Sequence, residues 1–352
     1  MPLSAYLYTQ KIIAPLLNDN EWRHIVKSLR ENPEYLHFKC CDSPVYARIS
    51  SQGLRHFVHK NTGHCNYVSE SDDHLQMKLE VFKACRELGW NAELEYIGEN
   101  FRSDVLADKD KHKIAFEIQL SRQDLPTTVN RQETLRKAGI RCAWFFKRIP
   151  KDYKVNEFLP VFEIEKDDNN NQGIFHCNFR GKKIAIKEFI GLLLESSLKF
   201  RNRLTIKKKQ KAMVFSFDEE CWRCGFQFKT IGIWAVLESN CGLKIDSNLF
   251  NLEKLTIDTG ILLNAIKKHY PNVKSIKKGN NKANIGIEVI NVCPQCKAVV
   301  NCDMISSKVL QSVSEETKPE NEIEYFIVSY DNGNSFDCSH WCLKSSEGFC
   351  DL

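Results

Sequence analysis

The sequence lacks the marks of a membrane or secreted protein. None of its 352 residues falls in an apolar run of 18 or more, the length that a membrane-spanning helix needs. Residues 1–20 contain no basic start, no sustained apolar centre and no small-residue cleavage site, so they do not resemble a secretory signal. We therefore expect a soluble cytoplasmic protein with no membrane partner.

The sequence also lacks a large excess of one charge, any repeat of fixed period and any long low-complexity tract. Apolar residues make up 42% of the chain and the formal net charge is only +5, which argues against global disorder. A chain of 352 residues is long enough for two or three domains, each with its own core.

Cysteine, in contrast, is abundant, with 15 residues. Cytoplasmic thiols are mostly reduced, and an odd number of cysteines makes a secreted disulfide framework less plausible still. Metal ligation and plain burial remain as the two interpretations.

The small net charge conceals unequal segments. Eleven Lys or Arg residues against two Glu residues give the stretch 180–211 a balance of +9, whereas ten acids against three Lys residues give 303–352 a balance of −7. A basic middle segment favours a polyanionic partner, because neutralising phosphates contributes much of the affinity for nucleic acid. A solvated helix end and linker is the alternative explanation.

Hydrophobic periodicity predicts the order helix, strand, strand, strand, helix, strand over residues 69–146. The first helix spans 69–88, with Ser69 or Ser71 as its N-cap and Gly89 as its terminator. The sequence pattern predicts four segments: an N-terminal zinc-finger-like region (1–66), a nuclease-like domain (67–150), a connecting segment with the basic run (151–212) and a C-terminal domain (213–352).

Two predicted strands carry acidic residues in apolar surroundings. Asp104 ends one strand, and Glu117 and Gln119 share one face of the next, because strand side chains alternate. A hairpin through the polar turn 108–112 would bring both carboxylates to one sheet edge. Two oxygen ligands there suit Mg²⁺ or Mn²⁺, and such an ion activates water for phosphodiester hydrolysis. A strand pair with two solvated carboxylates is the alternative.

The motifs Arg102-Ser-Asp104, Glu117-Ile-Gln119 and Gly139-Ile140-Arg-Cys-Ala-Trp144, with Arg131 between the last two, resemble the nuclease-like domain of the CoiA competence protein family. That family is a branch of the PD-(D/E)xK superfamily. The resemblance covers about residues 66–148 and implies a restriction-endonuclease-like core of a mixed sheet flanked by helices, an α/β (α+β) fold. It places Asp104, Glu117 and Gln119 at the Asp, Glu and Lys positions of the superfamily, from which Gln119 departs.

Charged residues on the helices are further candidates. His74 and Lys78 are four residues apart and share one helix face, so Lys78 could supply the positive charge missing at Gln119. Arg131, and with it Arg102, could bind phosphate, as could Lys207, Lys208 and Lys209 in the basic run. Glu70 is a weaker candidate ligand. Glu93 and Glu95 share one face of a strand that we expect to face solvent.

Two Cys-x-x-Cys pairs predict a structural Zn²⁺ site. Cys221, Cys224, Cys293 and Cys296 would give a closed Cys₄ set, with the 68 intervening residues forming an insertion. A redox pair is the competing interpretation.

Two other clusters are less regular. Cys40, His56, His59 and Cys65 form a second candidate zinc set, because His56-Phe-Val-His59 resembles an element of the N-terminal zinc-finger-like region in CoiA-type proteins. Near the C-terminus, Cys338-Ser-His340-Trp-Cys342 could bind a metal or be a strand of buried thiols.

The sequence thus favours a metal-dependent nuclease that hydrolyses DNA, in recombination and uptake or in genome defence, with possible protein partners. The alternative is a catalytically weak or inactive DNA-binding scaffold with structural zinc.

Overall fold

A computed structural model describes residues 2–39, 41, 43–59, 70–167, 174–246, 255–257, 259–279, 289–315, 317–319, 321–330, 335–345 and 348–350. The chain divides into two compact units, residues 1–198 and 199–352. The predicted four-segment division stays a prediction.

The first unit begins with a small module that has its own core. Its elements are β1 (Ser4–Leu7), β2 (Gln10–Ile13), a 3₁₀ turn (Ala14–Leu16), α1 (Asp19–Glu31), β3 (Val45–Ile49) and β4 (Arg55–His59). α1 starts at a capping box, in which Asn18 accepts from the Glu21 N–H and Glu21 accepts from the Asn18 N–H. Trp22 and Ile25 of α1 pack with Phe57 of β4, which holds the helix against the hairpin.

The main body of this unit is a seven-stranded mixed sheet. Its elements are α2 (Asp72–Glu87), β5 (Asn91–Ile97), β6 (Arg102–Lys109), β7 (His112–Gln119), α3 (Leu125–Lys137), β8 (Arg141–Phe146), β9 (Val161–Lys166), β10 (Phe175–Phe179), β11 (Lys182–Ala185) and α4 (Ile186–Leu194). The spatial order is β11-β10-β9-β8-β7-β6-β5. β8 lies parallel to β7 and β9, and the other pairs are antiparallel.

Helices cover both faces of the sheet. Trp144 and Phe146 of β8 pack with Leu135 of α3, whereas the ring of Phe145 lies 6.2 Å from that of Phe189 in α4. Neighbouring strand residues point to opposite faces, so α3 and α4 lie on opposite sides, and α2 contacts α4. The predicted mixed sheet flanked by helices is confirmed.

The local signals in the sequence explain the elements that frame the site. The Ser71 hydroxyl accepts from the His74 N–H and caps α2, while the alternative cap, Ser69, lies outside the described residues. Gly89 follows α2 with φ +75°, a left-handed conformation that glycine adopts without strain. A two-residue turn at Asp110 and Lys111 joins β6 to β7, since Lys109 pairs with His112. The predicted hairpin is therefore present.

Three strands of the sheet were not predicted. β9, β10 and β11 come from 151–198, which reads as charged and polar, yet Val161, Phe162 and Ile164 are buried. Their charged neighbours lie at the edge of the sheet, where Lys183 pairs with Glu165 at 2.5 Å. Half-buried strands of this kind carry too few apolar residues to stand out by periodicity.

The second unit is built mainly on antiparallel strands. Its elements are β12 (Leu198–Thr205), β13 (Lys209–Glu220), β14 (Gln227–Glu238), β15 (Lys244–Asp246), β16 (Leu255–Ile257), α5 (Thr259–His269), β17 (Ile276–Lys278), β18 (Val289–Asn291), α6 (Cys302–Ser314), β19 (Asn321–Tyr330) and β20 (Ser335–Leu343). A five-stranded sheet runs β15-β14-β13-β19-β16, and β12 pairs with β20. Across the described ranges, no helix has the length and apolarity to span a membrane.

Candidate functional site

Three acidic residues lie in one row across neighbouring strands of the mixed sheet. Leu94 of β5 pairs with Val105 of β6, and Val105 pairs with Phe116 of β7. The same register, moved by one residue, aligns Glu95, Asp104 and Glu117. The hairpin thus brings the two predicted carboxylates together, and β5 adds a third.

Lys78 of α2 lies at the centre of this acidic group. Its Nζ is 2.7 Å from Glu70 Oε2, 2.9 Å from Glu95 Oε1 and 3.9 Å from Asp104 Oδ1, and its side chain is 1% exposed. Burial alone would lower the pKa of Lys78, but the carboxylates of Glu95, Glu70 and Asp104 outweigh burial and raise it. The ammonium group is therefore a permanent positive charge in the site.

Glu70, His74 and Asp104 form a group of side chains with metal-ligand geometry. One ligand atom from each lies within 4.8 Å of the others. His74 Nε2 is 3.6 Å from Asp104 Oδ2 and 3.8 Å from Glu70 Oε1, and this nitrogen is buried without a hydrogen-bond partner. Burial alone would raise the pKa of Asp104, but His74 and Lys78 lower it to about 2. Asp104 is thus ionised at neutral pH.

Glu117 is almost fully buried, and one of its carboxylate oxygens has no hydrogen-bond partner. Its Oε2 accepts from the Arg131 guanidinium of α3, while Oε1 is buried with no hydrogen-bond partner. Burial raises the pKa of Glu117 to about 8, because Arg131 does not offset it and Asp104 adds to it. A buried carboxylate oxygen without a donor is costly, so this atom is suited to a cation.

The prediction that Glu95 faces solvent is wrong. Its φ is +51°, so the residue departs from regular strand geometry, and its carboxylate is only 17% exposed. Glu95 accepts from the N–H groups of Leu3 and Ser4 at 2.8 and 3.0 Å. Strand alternation could not predict this, because Leu3 and Ser4, far away in the sequence, supply the donors.

Gln119 is the last residue of β7, and its side chain bonds to Ser121. Its Nε2 donates to the Ser121 backbone oxygen at 3.0 Å and to the Ser121 hydroxyl at 2.8 Å. The positive charge that Gln119 lacks comes instead from Lys78, on a different element.

Basic residues border a cleft of about 130 Å³ beside the carboxylates. Lys39, Arg102 and Arg131 line it together with Glu70, Glu95 and Asp104. Arg102 is exposed at the start of β6, and the Arg131 side chain is 41% exposed. The cleft thus combines a buried acidic centre with a basic border.

The donor set fits a divalent cation. Four carboxylates, those of Glu70, Glu95, Asp104 and Glu117, face two cations, Lys78 and Arg131. Because the pKa of Glu117 is raised to about 8, a cation would have to displace its proton at neutral pH, and the four ionised carboxylates would then leave two negative charges to be balanced. Glu70, Asp104 and His74 Nε2 together could hold the ion, and the Glu117 oxygen without a donor is a further candidate ligand. Oxygen-rich sets of this kind suit Mg²⁺ or Mn²⁺.

The predicted basic run, 180–211, begins in the first unit, and its members Lys207, Lys208 and Lys209 lie in the second. Lys207 Nζ pairs with Glu238 Oε1 at 2.8 Å, while Lys208 and Lys209 are exposed in and after the β12–β13 connection. Their predicted role in binding nucleic acid stays a prediction.

The two Cys-x-x-Cys pairs meet as predicted. Cys221 Sγ is 3.5 Å from Cys296 Sγ, and Cys224 Sγ is 3.7 Å from Cys293 Sγ. A tetrahedral zinc site with Zn–S bonds of 2.3 Å has S···S edges of about 3.8 Å, so the observed spacing suits the ion. The segment between the pairs contains β14 to β18 and α5, as expected of an insertion.

The two Cys-x-x-Cys turns have the same geometry with different residues. Gly225 follows Cys224 with φ +72°, and Lys297 follows Cys296 with φ +63°. The left-handed conformation costs an L-residue about 1–2 kcal/mol, so Lys297 is strained where Gly225 is not.

We therefore expect Lys297→Gly to stabilise the zinc-loaded second unit by roughly 0.5 kcal/mol, because relief of this strain exceeds the extra unfolded-state entropy of glycine. Urea denaturation of the full chain measures the change. Gly225→Ala is the converse control and should destabilise by about 1 kcal/mol. A lower urea midpoint for Lys297→Gly would contradict this reading of the turn.

The N-terminal candidate set is only partly described. His56 and His59 lie on β4, three residues apart, so they point to opposite faces of the strand. The His59 ring stacks on Phe38 with centroids 4.0 Å apart, and His56 Nδ1 faces the Leu54 carbonyl at 3.1 Å. Cys40 and Cys65 lie outside the described residues. Zinc at this set stays a prediction.

A mixed α/β sheet with converging carboxylates beside basic side chains defines a domain of the nuclease-like class. Residues 70–217 match the family described as competence protein CoiA, nuclease-like domain. This segment is thus similar to a CoiA nuclease-like domain, which confirms the predicted resemblance, and it contains all of the carboxylates of the site. No curated protein matches the chain.

Proposed function

We propose that the first unit is a metal-dependent nuclease that hydrolyses phosphodiester bonds of DNA, in the PD-(D/E)xK manner. The observation that carries the proposal is the excess of buried carboxylates over cations around Asp104, with ligand atoms of His74 and Glu117 left without partners. The match to the CoiA nuclease-like domain supports the same chemistry. DNA uptake and recombination, or genome defence, are the processes that fit.

Each side chain has a distinct part in this proposal. Glu70, His74, Asp104 and Glu117 hold the cation, which would polarise the scissile phosphate and lower the pKa of a bound water. Lys78 takes the place of the lysine missing at Gln119 and offsets negative charge on the phosphate in the transition state. Gln119, fixed by Ser121, orients the attacking water.

Arg102, Arg131 and Lys39 would hold the phosphates on either side of the scissile bond. Arg131 contacts Glu117 and also lies 5.0 Å over the Trp144 ring, so its position is fixed before DNA binds. A preorganised guanidinium loses little entropy when it pairs with phosphate.

Incubation of the purified full chain with plasmid, linear and single-stranded DNA tests the proposal. We expect cleavage with Mg²⁺ or Mn²⁺ and none with EDTA, and the products distinguish endonuclease from exonuclease action. Salt-sensitive binding without cleavage under any of these conditions would overturn the nuclease assignment.

A DNA-binding scaffold is the second candidate. It is favoured by the pairing of Arg131 with Glu117 and of Gln119 with Ser121, which occupy two groups that catalysis would use. On this view the cleft binds the DNA backbone without turnover, and structural zinc stabilises the rest of the chain.

Binding to DNA should depend on the basic border in either case. Arg102→Ala is expected to weaken binding uniformly across sequences and to reduce the slope of log K against log salt by about 1, since one phosphate contact is lost. Fluorescence anisotropy with labelled duplex DNA at several salt concentrations measures the slope.

Lys113→Ala is the matched control, because Lys113 is exposed on the neighbouring strand and does not line the cleft. The same measurement on a Lys208→Ala/Lys209→Ala variant tests the predicted role of the basic run. Equal slopes for Arg102→Ala, Lys113→Ala and the wild type would exclude the cleft as the DNA site.

A further inference from the structure

Three cysteines and one histidine meet in the second unit, well apart in sequence from the two Cys-x-x-Cys turns. We infer that Cys241, His340, Cys342 and Cys350 bind a second structural zinc ion. One ligand atom from each lies within 4.8 Å of the others. The sequence hinted at only two of them, in the Cys-x-His-x-Cys stretch, because Cys241 and Cys350 are 109 residues apart in the chain.

The fold brings these residues from three separate segments. His340 and Cys342 alternate on β20 and so share one face of that strand. Cys241 lies in the turn between β14 and β15, and Cys350 follows a second turn, closed by reciprocal hydrogen bonds of 3.0 Å between Ser345 and Gly348.

All four side chains are buried, with exposures of 5% for Cys241, 6% for His340, 0% for Cys342 and 2% for Cys350. A buried imidazole among thiols needs partners for both ring nitrogens. Because the cluster has three thiols, a disulfide between two of them would leave the third unpaired. A metal ion satisfies all four groups at once.

The distances agree with tetrahedral zinc. Cys241 Sγ lies 3.6 Å from His340 Nε2. Zn–S bonds of 2.3 Å and Zn–N bonds of 2.0–2.1 Å give an S···N edge of about 3.6 Å. Four protein ligands leave no open position for substrate, so the site is structural.

Neighbouring groups hold the ligands in the state that zinc requires. His340 Nδ1 lies 2.8 Å from the Cys338 carbonyl, and a proton on Nδ1 leaves the Nε2 lone pair directed at the thiols. The Cys350 N–H lies 3.3 Å from Cys342 Sγ, and the Ser239 hydroxyl lies 3.3 Å from Cys241 Sγ. The Cys350 N–H donates to Cys342 Sγ, and the Ser239 hydroxyl can donate to Cys241 once that thiol is a thiolate.

The ion would reinforce a junction of the second unit at which backbone pairing is sparse, with an isolated bridge between Ile206 and Ser239. β20 pairs with β12 in a two-stranded sheet, whereas Cys241 follows β14 of the five-stranded sheet. Zinc at this point fixes one sheet to the other and anchors the segment that contains Cys350.

The inference is tested by comparing the zinc content of variants with that of the wild-type full chain, measured by mass spectrometry after exhaustive dialysis. We expect His340→Ala to lose one zinc equivalent relative to the wild type. We expect His340→Cys, which makes a Cys₄ set, to retain it. Cys142→Ala and Cys177→Ala, at buried thiols of the first unit, are the matched controls and should lose none.

A Cys221→Ser/Cys224→Ser variant separates this site from the Cys-x-x-Cys turns. Loaded with Co²⁺, it should show the thiolate charge-transfer and d–d bands of a tetrahedral S₃N site, and these bands should shift toward an S₄ pattern when His340→Cys is added. This readout does not depend on whether His340→Ala folds.

Two results would overturn the inference. One is absence of thiolate–cobalt bands in the Cys221→Ser/Cys224→Ser variant. The other is a pair of findings. Only 13 of the 15 cysteines would titrate in denatured, unreduced wild-type protein, and the zinc content of His340→Ala would equal that of the wild type. Together these findings would mean that a disulfide occupies the cluster.

Discussion

Asp104→Asn is expected to reduce metal-dependent DNA cleavage by more than about 100-fold, since changes beside a metal already cost 10–100-fold and Asp104 is a direct ligand in our proposal. Asparagine keeps the shape and can still accept from the Ile118 N–H, which lies 2.8 Å from Asp104 Oδ2. The charge alone is lost. Initial rates of plasmid cleavage at several Mg²⁺ concentrations measure the effect.

The same variant has a second readout that is independent of turnover. A cation that binds only the folded protein stabilises it by about 2.7 kcal/mol at 100 times its dissociation constant. Wild-type protein should therefore melt at a higher temperature with Mn²⁺ than without added metal, and Asp104→Asn should show little of this difference.

Asp110→Asn is the matched control, because Asp110 is exposed in the turn of the same hairpin and asparagine tolerates its φ of +54°. Its cleavage rate and its Mn²⁺ stabilisation should equal those of the wild type. Full activity of Asp104→Asn would move the catalytic centre away from this sheet edge.

Lys78→Met is expected to destabilise the first unit by about 3–5 kcal/mol, because removing one partner of a buried ion pair leaves the others uncompensated. Lys78 is 1% exposed and contacts three carboxylates. Methionine fills a similar volume, so the loss is one of charge and not of packing. For a unit of this size the melting temperature should fall by roughly 10 °C.

Lys83→Met provides the control, since Lys83 lies on the same helix but is exposed and should change stability by less than about 0.5 kcal/mol. Added Mn²⁺ should restore part of the stability of Lys78→Met, because the unbalanced carboxylates then gain a cation. Equal melting of the two variants in EDTA would show that Lys78 does not balance the acidic row.

The sequence predicted those parts of the site that depend on local pattern. Ser71 and Gly89 bound the first helix of the domain, and alternation in 113–120 placed Glu117 between apolar neighbours. The polar turn at 108–112 indicated the hairpin that aligns Asp104 with Glu117. The spacing of the two Cys-x-x-Cys pairs predicted one zinc set, since such a turn is built within five or six residues.

Long-range contacts explain what the sequence missed. Glu95 looked solvent-facing because nothing in its own strand reveals that Leu3 and Ser4 donate to it. β9 to β11 escaped detection because their burial comes from packing on α4 and from their neighbours in the sheet.

By itself, then, the sequence determined the mixed α/β class, the Asp104–Glu117 hairpin, the resemblance to a CoiA-type domain and one Cys₄ set with zinc-ligand spacing, since each rests on residues close in the chain or on a motif in order. Only the tertiary structure decided that Lys78 lies among Glu70, Glu95 and Asp104, and that Cys241 and Cys350 meet His340 and Cys342. Those groupings join residues separated by long stretches of chain, and the free energy that assembles them comes from burial across whole units, which no local pattern records.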